Sequence, residues 1–129
     1  MTSDRVGDFI IRLKNAGAIN KPVVSVPFSK HVEEIANKLK TLGYVAEVSK
    51  SKKPYEFDVT LAYDERGRHA INGVKRVSKP GRRLYVPTTE AHGVKNGIGT
   101  RLISTPKGVL TDAEARKNRV GGENLFEIW

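Results

Sequence analysis

The 129-residue chain has no cysteine. Disulfide frameworks, thiol catalysis and cysteine-based zinc sites are thereby excluded. A chain of this length needs no such staple, because it can bury roughly two-thirds of its unfolded surface. No apolar run approaches the roughly 20 residues of a membrane span. The opening "MTSDRVGDFIIRLKNAG" has an early aspartate and a helical pattern, unlike a signal peptide. These absences lead us to expect a soluble, intracellular protein. Acidic residues are also scarce in one place. Residues 66–129 hold 13 Lys and Arg against 5 Asp and Glu, whereas residues 1–65 hold 10 against 9. Nearly all of the net charge of +9 therefore lies in the second half. Such a field suits a polyanion, with nucleic acid favoured over an anionic membrane or a merely solvating surface.

What is present reads as two parts of an α+β fold. Val6, Phe9, Ile10 and Leu13 recur at i, i+3, i+4, i+7 and predict an amphipathic helix, with Thr2 or Ser3 as its cap and Gly17 as its end. "KPVVSVPF" predicts a strand. Ser29 can cap a second helix whose apolar stripe is Val32, Ile35, Ala36, Leu39 and Leu42, with Gly43 at its left-handed end. "YVAEVS" and "YEFDVTLAY" alternate as strands around the hairpin loop "KSKKP". The first part is thus α-β-α-β-β. The polar, turn-rich "DERGRHAING" coincides with the change in charge and suggests a division into residues 1–66 and 67–129. The second part reads as mainly β with one short helix. "VKRVS", "RLYVP", "TRLIS", "GVL" and "ENLFEIW" are strands, and Thr111 with Glu114 has the spacing of a capping box.

No enzymatic set is visible. Ser104 and Thr105 have no neighbouring base to activate them. His31, His69 and His92 are scattered without metal spacing. "NGIGT" precedes a strand and lacks the third glycine of a dinucleotide fingerprint. Nothing calls for a cofactor, a metal or a small-molecule substrate. What remains is recognition. Ser104, Thr105, Pro106 and Lys107 form a compact turn of hydroxyls, a lysine and backbone donors, suited to phosphates, 2′-hydroxyls and exposed base edges. Lys79, Arg82 and Arg83 add cations on the Pro-Gly turn "KPGRR". Tyr85 just behind can stack on a base or face the core.

"GTRLISTPKGVLTDAEAR", together with "RLKNAG", "VSKPGRRLYV", "NGIG" and "VGGE" in order, resembles the bacterial-type small-subunit ribosomal protein eight family over the whole chain. The resemblance implies a two-part α/β, non-catalytic protein of the cytoplasmic ribosome. It implies direct binding to the central domain of small-subunit ribosomal RNA early in assembly, with neighbouring small-subunit proteins as partners. It also admits a second role, as a regulator acting on a messenger RNA that mimics the ribosomal site. By this pattern Ser104, Thr105, Pro106 and Lys107 touch an irregular RNA helix, and Tyr85 and Glu123 lie near it. Arg12, Lys14 and Asn15 form a basic first-helix patch facing RNA backbone. Glu123 would accept from a base amino group or a 2′-hydroxyl, or else bond backbone N–H groups of its own turn. Pro106 departs from the pattern, which commonly has a third small hydroxyl residue there. Proline removes a donor and fixes φ near −65°.

Overall fold

A computed structural model describes residues 5–78, 82–86 and 99–129. The chain divides into two compact units, Arg5–Asn72 and a second that begins at Gly73 and runs to Trp129. Residues 67–72, which the charge pattern groups with the basic half, bond to the first unit. Ala70 N–H donates to the Ala62 carbonyl at 3.0 Å, and His69 bridges Tyr63.

The first unit runs α1 (Arg5–Ala18), β1 (Val23–Pro27), α2 (Lys30–Leu42), β2 (Val45–Lys50) and β3 (Glu56–Leu61). The three strands form an antiparallel sheet in the order β1-β3-β2. Alternation sends Val24, Val26, Phe57, Val59 and Leu61 inward. Phe9, Ile10 and Leu13 of α1 and Val32, Ile35, Ala36 and Leu39 of α2 are buried with them in this unit's core. The alternate positions stay polar: Ser25 opposes Asp58 and donates its hydroxyl to that carboxylate at 2.8 Å. This is the one-sided burial open to an antiparallel sheet.

The helix signals resolve differently. Gly43 ends α2 at φ 90°, as its position suggests, and its N–H bonds back into the last turn. Ser29 takes extended cap dihedrals, but its side chain makes no cap bond; its carbonyl accepts from Glu33 N–H. Gly17 does not terminate α1 as a left-handed residue. The helix continues to Ala18, and the positive φ falls at Asn20, 58°. Gly17 is glycine for a steric reason instead, since a Cβ there would overlap the His69 ring. Thr2 and Ser3 lie outside the described residues.

The second unit contains β4 (Val74–Arg76), β5 (Tyr85–Val86), β6 (Thr100–Thr105), β7 (Gly108–Thr111), α3 (Asp112–Asn118) and β8 (Gly122–Ile128). Strand order is β4-β8-β6-β7, with β5 also pairing β8. Leu102, Ile103, Phe126 and Ile128 are fully buried. The capping box is complete: Glu114 N–H donates to the Thr111 hydroxyl at 3.1 Å, and Thr111 N–H to the Glu114 carboxylate at 3.0 Å. Arg101 and Glu127 oppose each other across β6 and β8 and form a mostly buried ion pair at 3.0 Å.

Candidate nucleic-acid interface

The hairpin between β6 and β7 is closed by Pro106 and Lys107, with Thr105 opposite Gly108. The usual two-residue hairpin turns demand a positive φ at the first central residue, which proline cannot supply. Gly108, at φ 105°, takes up the left-handed backbone instead. The Thr105 hydroxyl locks this arrangement. It accepts from Lys107 N–H at 3.1 Å and donates to the Gly108 carbonyl at 2.8 Å. The turn is therefore less rich in donors than its sequence suggests. Lys107 N–H and the Thr105 proton are spent inside it, and Pro106 has no N–H. The Lys107 side chain and the Pro106 ring are exposed, and Ser104 is half-buried.

The strand register extends this turn into a row. Ser104 on β6 lies opposite Glu123 on β8, and Glu123 lies opposite Tyr85 on β5. Residues directly opposite share a sheet face, so hydroxyl, carboxylate and phenol stand side by side. Tyr85 is 70% exposed and is not a core residue. Glu123 is only 16% exposed and bonds no backbone of its own turn. Both of its oxygens accept from Arg83, at 3.0 and 3.3 Å, and Arg83 is 53% exposed. Arg83 thus carries a counter-charge, whereas Arg82 is exposed beside Lys75, Arg76 and Glu127 in a shallow cleft, with Glu127 already paired to Arg101. Lys79 lies outside the described residues.

Gly122 is the contributor that periodicity does not reveal. It opens β8 under the Ser104 carbonyl, and a Cβ there would run into that oxygen. Its presence in "VGGE" is the only trace in the chain.

Arg12, Lys14 and Asn15 lie on α1 of the first unit. Arg12 is partly structural: its Nε donates to Asp8 at 3.0 Å, and its terminal nitrogen donates to the Ser25 carbonyl at 3.0 Å. It lines a shallow cleft with Asn15, Ile19, Lys21 and Lys53. Lys21 and Lys53 were not legible as members, since they come from a turn and a hairpin distant in sequence. Lys14 is exposed on the same helix.

The family model described as ribosomal protein S8 matches residues 4–129. The chain belongs to the ribosomal protein S8 family. It is 44% identical to small ribosomal subunit protein uS8 of Nitratidesulfovibrio vulgaris, over the full length of both chains. It is 43% identical to the protein of the same name from Persephonella marina, again over the whole of both, and 39% identical to that of Acholeplasma laidlawii over 98% of each. The S8 match spans both units, so the Ser104–Glu123–Tyr85 row and the α1 cleft both fall within it.

Proposed function

We propose that the chain is a structural, non-catalytic constituent of the small ribosomal subunit that binds small-subunit ribosomal RNA directly. Its target is the central domain, its action supports early assembly, and its place is the ribosome in the cytoplasm beside other small-subunit proteins. The observation that carries this reading is the Ser104–Glu123–Tyr85 row beside a hydroxyl-locked turn. A rigid, shallow edge of this kind suits the wide minor groove of an irregular RNA helix, where 2′-hydroxyls and unstacked bases are within reach. Ser104 donates or accepts there, Tyr85 presents a phenol and a ring, and Lys107 and Arg82 supply phosphate contacts that add affinity without sequence information. Arg12, Lys14 and Asn15 supply a second backbone contact, which Lys21 extends.

Hydroxyl-radical footprinting of the purified chain on complete small-subunit ribosomal RNA tests this. Protection should fall on one irregular helix of the central domain and survive excess scrambled RNA. Protection spread over many helices, or lost to scrambled competitor, would reduce the chain to a non-specific polycation.

A further inference from the structure

The β2–β3 hairpin of the first unit carries a feature that folding does not explain. Tyr55 sits where its loop enters β3, with φ 67°, and is 88% exposed. A left-handed backbone is unfavourable for a bulky residue and cheap for glycine. The exposed ring gains little from burial in return. The conformation is held by Phe28, whose N–H donates to the Tyr55 carbonyl at 2.7 Å. Phe28 is itself 48% exposed and packs edge-to-face on buried Phe57. Phe28, Tyr55 and Val48 line a shallow cleft with Lys50 and Lys53, and Lys52 is exposed at the hairpin tip. Strained backbone holding an exposed side chain is a signature of use outside the fold.

We infer that this hairpin is a separate single-stranded RNA contact, taking one unpaired base between Tyr55 and Phe28 and its flanking phosphates on Lys50, Lys52 and Lys53. Aromatic faces among lysines provide the stacking and charge that an unpaired nucleotide needs. Two carboxylates, Glu33 and Glu56, also line the cleft. They repel a phosphate and accept from an exocyclic amino group, so the cleft takes the base and prefers cytosine to uracil. Charge complementarity, three lysines toward a polyanion, favours RNA over a protein neighbour. The inference stands independently of the second unit's row.

Fluorescein-labelled C6 and U6 RNA hexamers, titrated into the full chain at low salt, provide the test. Tyr55→Gly suits φ 67° and removes the ring. It should weaken C6 binding about tenfold or more, the scale of one lost base stack. Tyr55→Phe should bind within about twofold of the parent, and C6 should outbind U6. Ultraviolet crosslinking of a C6 hexamer carrying 5-iodocytidine, which keeps the amino group, should mark Tyr55 or Phe28. Unchanged C6 affinity in Tyr55→Gly, or crosslinks confined to residues 73–129, would overturn the proposal while leaving the central-domain footprint untouched. So would purified small subunits in which Lys52 and Lys53 crosslink to a protein and Tyr55 to no RNA; the hairpin would then be a protein-docking site.

Discussion

Gly122 lies beneath the Ser104 carbonyl oxygen so closely that any Cβ at residue 122 would displace the strand above it. The obstacle is backbone, which cannot swing aside as a side chain can. Gly122→Ala should therefore push β8 away from β6 at the residue that sets the Ser104–Glu123 pairing. We expect a loss of about 1–3 kcal/mol, the usual cost of overpacking a close contact, read from urea unfolding. RNA affinity should fall further than stability, because Glu123 and Tyr85 move with β8. An alanine variant with parental stability and parental RNA affinity would show that the contact relaxes freely.

Thr105 is a structural member of its turn as well as a candidate contact. Thr105→Ala removes two hydrogen bonds, each worth about 0.5–1.5 kcal/mol net. The variant should lose about 1–3 kcal/mol by denaturant unfolding and should bind RNA more weakly. Thr105→Ser keeps the hydroxyl and should retain most of both. Equal losses in the serine and alanine variants would mean that the methyl group, not the hydroxyl, matters here.

These two residues show what the chain discloses locally and what it hides. Thr111 and Glu114 were readable as a capping box because partner and donor are three residues apart. Gly43 was readable because a left-handed cap follows its own helix. The apolar stripes of α1 and α2 predicted Phe9, Leu13, Ile35 and Leu39 as core residues, and all are buried. Gly17 is ambiguous in sequence, because a glycine signals either positive φ or close approach, and only the neighbour, His69, decides which. Residue types place the turn at Pro106 but overstate its free donors, since whether a hydroxyl faces outward or back into its own turn depends on backbone geometry. The Glu123–Arg83 pair joins residues 40 apart in sequence, and no local pattern announces it.

That pair separates two neighbouring arginines. Among the described residues no carboxylate bonds Arg82 as Glu123 bonds Arg83, so removal of Arg82 should act chiefly through lost phosphate contact. Arg82→Ala should lower the log–log salt slope of RNA binding by roughly 0.7–0.9 for one phosphate. Arg83→Ala should change the slope less, because Glu123 already offsets its charge. It should instead lower stability, by up to about 1 kcal/mol given Arg83's exposure, by leaving the mostly buried Glu123 carboxylate without its partner. Affinities measured over a salt series decide this. A larger slope change for Arg83 than for Arg82 would mean that RNA displaces Glu123 from Arg83 on binding.

His69 gives the first unit a pH dependence. Its ring packs against Gly17 and lies 5.7 Å from the Tyr63 ring. Burial disfavours the imidazolium and lowers the pKa below 6.5, with the Ala62 backbone pulling weakly the other way. A lowered folded pKa means that, between that value and 6.5, the unfolded chain binds more protons than the folded one. Stability then rises with pH across this window. It is fully present above about 6.5 and is lost as pH falls toward the folded pKa, where the dependence levels off. His69→Gln cannot titrate and should flatten this part of the profile, whatever it does to stability at neutral pH. Urea midpoints of parent and variant between about pH 5 and 7.5 test the sign. A parent curve that is flat there, or that gains stability as pH falls, would show that the imidazolium finds a partner on folding.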